Sequence, residues 1–200
     1  MRRPLERVAI FTDTFTPDMN GVSRTLARLD KALTQRGSEV RVFAPRTADV
    51  TPNVRVRRFA SIPFWAYRQL RLAWPSRPRV RRELAAWRPS LTHAATPFGV
   101  GLAGRAAARR LGVPFVTSYH TSLSEYARFY RLGVISGPGW SFLRWFHNGG
   151  RRTFVPTRAI ADDLARRGFE RLAIWSRGVD TQRFNPRWRS EAVSIRPTVR

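Results

Sequence analysis

Short runs of β-branched and aromatic residues alternate with longer stretches of helical period along this chain. That alternation constrains the fold more than any other feature. Arg7-Val-Ala-Ile-Phe-Thr12 is an apolar run of the kind that forms a buried strand. From Gly21 the apolar positions Val22, Leu26, Leu29 and Leu33 step by 4, 3 and 4, one stripe of an α-helix that Gly37 closes. Glu39-Val-Arg-Val-Phe-Ala44 alternates and then runs apolar, a second strand. Strand, helix and strand in this order predict a parallel sheet covered by helices.

The pattern continues. Ser90 to His93 and Val113 to Tyr119 read as strands around a small-residue helix from Pro97 to Leu111, which Gly112 ends. Thr153 to Val155 and Leu172 to Trp175 are short strands flanking a helix over 157–167 with Gly168 as its cap. Residues 121–150 read as helical, divided by Gly133 to Gly139. Between Val54 and Trp87 an alternating strand, Val54 to Phe59, leads into an aromatic, arginine-rich stretch. There Pro63, Pro75 and Pro78 forbid one continuous helix.

Composition narrows the class. With 200 residues the chain has room for about one domain, and 42% apolar content with seven tryptophans supplies a core, so the formal charge of +24 does not mark a disordered tail. All but Lys31 of the 37 basic residues are arginine. Cysteine is absent, which excludes disulfides, thiolate metal sites and a cysteine nucleophile. No apolar run reaches the about 18 residues of a membrane span, and Val8 to Phe11 is too short for a signal peptide. The chain therefore reads as cytoplasmic. The charge has two readings: a solvated basic surface, or one that meets an anionic partner.

In open α/β sheets, ligands bind beyond the carboxyl ends of the strands. The loop Thr12 to Gly21 leaves the first strand and opens a helix. Gly21 admits close approach, and a helix start attracts phosphate, yet Asn20 and Gly21 equally suit a simple helix cap. Two further loops, Thr92 to Gly99 and Ser118 to Ser122, carry His93 and His120, each of which suits either a cleft contact or a buried structural role. His147 reads as an ordinary helix residue. Three histidines this far apart, without H-E-x-x-H, predict no metal. There is no G-x-G-x-x-G, no P-loop and no G-x-S-x-G elbow.

The loops, taken in order, resemble the retaining glycosyltransferases of family 4, which have the GT-B fold. Phe11-Thr-Asp-Thr-Phe-Thr-Pro-Asp-Met-Asn-Gly-Val22 is similar to that family's first strand, loop and helix. Arg88 to His93 with Thr96-Pro-Phe-Gly99, Pro114 to Thr121, Val155-Pro-Thr157, and Arg177-Gly-Val-Asp180 with Phe184-Asn-Pro186 follow in the family's sequence of motifs. The Asn-Gly-Val version and the Ile62 to Pro75 segment look most like the branch of bacterial α-mannosyltransferases and sulfoquinovosyl-diacylglycerol synthases. The resemblance implies a Rossmann-like parallel sheet with helices on both faces, the amino-terminal half of a GT-B fold. It covers about residues 7–186, with 187–200 as the start of a linker.

By resemblance, Asn20 and Gly21 would lie against the donor phosphate and sugar, and His120 would contact the transferred sugar. Thr96 and Tyr119 would line the acceptor side. The donor would be a UDP- or GDP-linked hexose, the acceptor a lipid or glycan, with no metal and no other cofactor. The family's second domain carries an E-x7-E pair, which this sequence lacks: eight positions after Glu83, Glu125, Glu170 and Glu191 stand Leu91, Gly133, Gly178 and Val199. The expectation is half an enzyme, inactive alone, whose donor domain is missing or separately encoded. Trp65, Tyr67, Arg68, Arg71 and Trp74 would face an anionic membrane, as a peripheral protein on its inner face. The rival readings are a basic nucleic-acid-binding module, against which the spread of arginines and the lack of a helix-turn-helix or RNA-binding signature argue, and a non-catalytic Rossmann-like partner.

Overall fold

A computed structural model describes residues 6–18, 20–47, 53–64, 67–120, 137–176, 178, 181–182 and 184–188, with the backbone alone over 67–70. Strand β1 (Arg7–Phe11) leads through helix α1 (Gly21–Gln35) to β2 (Glu39–Pro45) and β3 (Val56–Phe59). A hairpin, β4 (Ser61–Phe64) and β5 (Tyr67–Ala73), precedes α2 (Arg77–Trp87). Then follow β6 (Leu91–Ala94), α3 (Gly99–Leu111), β7 (Phe115–Ser118), α4 (Gly137–Asn148), β8 (Thr153–Val155), α5 (Arg158–Arg166) and β9 (Leu172–Ile174).

Seven strands form one sheet in the order β3-β2-β1-β6-β7-β8-β9, and every neighbouring pair in it is parallel. The chain leaves β1 toward β2 on one side and later returns to build β6 on the other. Right-handed crossovers in opposite directions place their helices on opposite faces. Val8 and Ile10 accordingly pack with Leu26 of α1, while Ala9 and Phe11 pack with Ala103 and Ala107 of α3. This is the expected Rossmann-like arrangement.

The stretch 61–87 resolves into a hairpin and a helix. The hairpin is antiparallel with its register shifted between Pro63 and Phe64, and it stands outside the main sheet. Pro78 sits in the first turn of α2, where its missing N–H has no helical partner to lose. Val80, Leu84 and Trp87 face inward and the intervening arginines face out. Trp65, residues 121–136 and residues 189–200 lie outside the described residues, as do the side chains of Tyr67 and Arg68.

His147 is not an ordinary helix residue. It is 1% exposed, and its Nδ1 lies 2.8 Å from Thr117 Oγ1. Thr117 and Thr153, opposite one another on β7 and β8, share a hydroxyl contact of 3.0 Å, and the Thr153 hydroxyl donates to the His147 carbonyl. Burial holds the His147 imidazole down at about 3 and that of His93 at about 4.

Gly104 lets α3 settle on β1: a Cβ there would stand 2.5 Å from the Phe11 ring, which is stacked on Phe43 at 4.3 Å and cannot yield. Gly104→Ala is therefore expected to destabilise by about 1–3 kcal/mol despite the about 1 kcal/mol gained in helix propensity. The melting midpoint should fall by roughly 2–4 °C per kcal/mol, and an unchanged midpoint would refute the close packing.

The two neutral imidazoles also set the acid behaviour. The unfolded chain takes up their protons near 6.5, well before the folded one, so stability is lost as pH falls from there toward 4. Asp13, raised to about 6 by burial, acts in the opposite sense between that value and 3.8. In His147→Asn, melting midpoints measured from pH 7 to 4 should decline less steeply than in the wild type. Parallel curves would rule out a neutral buried His147.

Candidate functional site

The order of strands reverses between β1 and β6, and the crevice beyond their carboxyl ends is where such sheets hold ligands. Two loops meet there. The Asp13 side chain is fully buried between them: the Thr96 hydroxyl donates to its Oδ2 at 2.5 Å and the Val100 amide to its Oδ1 at 3.2 Å. The Asp13 amide in turn donates to Thr96 Oγ1 at 2.8 Å. The carboxyl therefore occupies the amino terminus of α3, which has no capping side chain of its own. Burial raises its pKa to about 6, against the lowering effect of its hydrogen bonds.

From Asp13 the loop is tied inward at several points. Thr12 Oγ1 donates to the Thr14 carbonyl, and Thr14 Oγ1 donates to Asp18 Oδ2 at 2.9 Å. Asn20 donates through Nδ2 to Thr14 Oγ1 at 2.6 Å and accepts at Oδ1 from the Ser23 amide at 2.9 Å. Its side chain is thus the cap of α1, and Gly21 is the first residue of that helix. The first turn of α1 carries no acidic residue, so its amino-terminal N–H groups keep their positive end toward the crevice. Arg58 of β3 braces the loop from outside, donating to the carbonyls of Pro45 and Thr16 and lying over the Phe15 ring.

His120 follows β7 at the same edge and packs edge-on against Trp175, with ring centroids 5.6 Å apart. Trp175 also meets His93 and Phe154, at 6.1 and 6.0 Å, and its amide is fixed by the Val155 carbonyl. His93 lies below, with Nε2 2.6 Å from Ser118 Oγ, a buried structural histidine. Tyr119 turns the other way. It is 6% exposed and packs with Leu143 and Phe169 in the core.

The structure thus places Asn20 and Gly21 at the start of α1 and Thr96 on Asp13 in the facing loop, two hydrogen-bonded groups joined by the Asp13–Thr14 backbone, sets His120 in a separate aromatic cluster, and leaves Tyr119 inside. Arg71 is half-buried and braces its hairpin through Ser61, while Trp74 is 69% exposed. Among the described residues no three His, Asp or Glu side chains group as a metal ion would require. Sequence reasoning missed Asp13 and Trp175. The signal for Asp13 was a carboxylate two positions past the buried apolar run Val8 to Phe11. For Trp175 it was an aromatic at the corresponding end of the last one.

The Glycosyltransferase Family 4 profile matches residues 19–183. A GDP-mannose-dependent alpha-mannosyltransferase of Mycobacterium tuberculosis is 36% identical over 95% of this chain and 52% of its own length. Sulfoquinovosyl transferase SQD2 of Arabidopsis thaliana is 32% identical over 95% of this chain and 38% of its own. The crystal structure of a glycosyltransferase from Rickettsia africae superposes on 96% of this chain and 48% of that one, with a TM-score of 0.62 at 11% identity, a likeness of fold. The chain spans about half the length of the mannosyltransferase it matches. With the profile covering most of its residues and a relative of this identity along nearly all of it, the chain belongs to Glycosyltransferase Family 4.

Proposed function

We propose that this chain is the amino-terminal, acceptor-side half of a retaining hexosyltransferase that draws on a nucleotide sugar, with GDP-mannose the leading donor. The observation that carries the reading is the convergence of the α1 amino terminus and the Thr96 loop at the reversal of strand order. The positive amino terminus of α1 suits the phosphate that leaves in such a transfer, since leaving-group charge is what a glycosyl-transfer site must stabilise. His120, at the end of β7, would meet the transferred sugar. Thr96 spends its hydroxyl on Asp13, so its contribution to acceptor binding is to shape the crevice wall.

A donor-binding domain, on the same or a separately encoded polypeptide, would complete the cleft. The 200-residue chain alone is expected to show no mannose transfer from radiolabelled GDP-mannose, and addition of a donor domain carrying the E-x7-E pair is expected to restore it. Turnover by the chain alone would overturn this division of labour.

The basic surface supports a lipid acceptor held at an anionic membrane. Arg77, Arg79, Arg81 and Arg82 stand on the solvent face of α2, close in sequence to exposed Trp74 and to Ile62 on the hairpin, at 69% and 59% exposure. No described helix is long and apolar enough to cross a membrane, so attachment by this half would be at the surface. Sedimentation with phosphatidylserine vesicles should weaken by about fivefold for each of these arginines neutralised, at about 1 kcal/mol apiece. Equal binding to neutral vesicles would exclude the membrane role.

A further inference from the structure

Two sets of hydrogen bonds at the strand reversal, joined by the Asp13–Thr14 backbone, link two helix starts. At one end the Val100 amide, in the first turn of α3, donates to Asp13 Oδ1. The Thr96 hydroxyl grips the other carboxylate oxygen, and its own oxygen accepts from the Asp13 amide, so Asp13 is held by side chain and backbone together. The next residue, Thr14, accepts from Asn20 Nδ2, and Asn20 Oδ1 accepts from the Ser23 amide at the start of α1. We propose that Asp13 is the positioning residue of this site: anchored in the amino terminus of α3, it fixes through Thr14 and Asn20 where α1 presents its N–H groups. This rests on the reading of the α1 start as the donor-phosphate contact.

Several features make Asp13 the anchor and not a passive member. It bonds residues more than eighty positions away in the sequence, whereas among the described residues Thr14, Asp18 and Asn20 bond within their own loop or to the adjoining first turn of α1. It is also fully buried, so water cannot replace a lost partner there. The glycines beside it remove the alternatives. A Cβ on Gly101 would stand 1.8 Å from the Thr96 carbonyl, and one on Gly99 1.8 Å from the Ala73 carbonyl, so the loop after β6 and the start of α3 have one close-packed arrangement. A rigid α3 terminus transmits its position to whatever is bonded to it.

Amide hydrogen exchange of the 200-residue chain, read residue by residue by NMR, tests the coupling without reference to any donor. In Asp13→Ala the Ser23 amide, bonded to Asn20 and remote in sequence from the substitution, should exchange at least about tenfold faster. Core amides such as Val42 and Thr117 should stay within about threefold of the wild type. Asp13→Asn keeps an oxygen for the Val100 amide and should restore most of the protection at Ser23. Thr96→Val, which removes the hydroxyl at constant size, should reproduce the Ser23 effect in smaller degree. If Asp13→Ala leaves Ser23 unchanged, or if both variants accelerate all amides equally, Asp13 is a general stability element and the proposal falls. A chain that shows the coupling but leaves nucleotide-sugar transfer unaffected in the reconstituted enzyme would refute the donor-phosphate reading alone.

Discussion

A sheet in which every strand runs the same way leaves no backbone free along its faces or its length, and this constraint governs the rest of the molecule. Each interior strand of the seven satisfies its neighbours on both sides, and helices cover the faces. At the carboxyl ends the helices begin, so their positive amino termini converge on the same edge. The reversal between β1 and β6 then splits two adjacent crossovers apart and opens the crevice. Asn20, Asp13, Thr96 and His120 all lie on that edge.

The arginine excess takes a different meaning once the chain is folded. Several guanidinium groups finish helix ends. Arg7 donates to the Trp87 carbonyl at the end of α2, Arg144 to the Arg167 carbonyl past α5, and Arg171 to the Asn148 carbonyl at the end of α4. The last carbonyls of a helix have no internal partner, and a cation with a planar fork of donors suits both them and the negative end of the dipole. Others lie on tryptophan faces, Arg105 on Trp145 at 3.7 Å and Arg41 on Trp87 at 4.5 Å. Part of the +24 is therefore mortar between elements, while the arginines on the outer side of α2 face solvent.

What the sequence made legible follows the strength of each local signal. The strands at 7–11 and 39–45 and the helix between them were readable because apolar period, Asn20 cap and Gly37 stop agree. Positive φ at Gly37, Gly112 and Gly168 bears out all three expected stops. The hairpin at 61–73 was not readable, since prolines and arginines mask alternation in a strand pair that packs beside the sheet and not within it. In the site, Asn20 and Gly21 could be found from the loop itself. Asp13 could not be ranked above Asp18, because its distinction is burial against Thr96 and Val100, contacts that exist only after β1 and β6 pair. His147 was invisible for the same reason: its partner Thr117 lies thirty positions back, on strand β7.

Burial of polar groups in this fold thus has two distinct forms. His147, Thr117 and Thr153 satisfy one another within the α4 side of the sheet, and His93 rests on Ser118. Each set is neutral, and its effect is to select one packing of β6, β7 and β8. Asp13 is the exception, an acid held where its charge is disfavoured by desolvation and supported only by donors from the neighbouring loop and helix. Its two oxygens are engaged separately, one by the Thr96 hydroxyl and one by the Val100 amide, so loop and helix are held at one residue. Asp13 joins the loop after β1 to the start of α3 at the reversal of strand order through a single buried carboxyl.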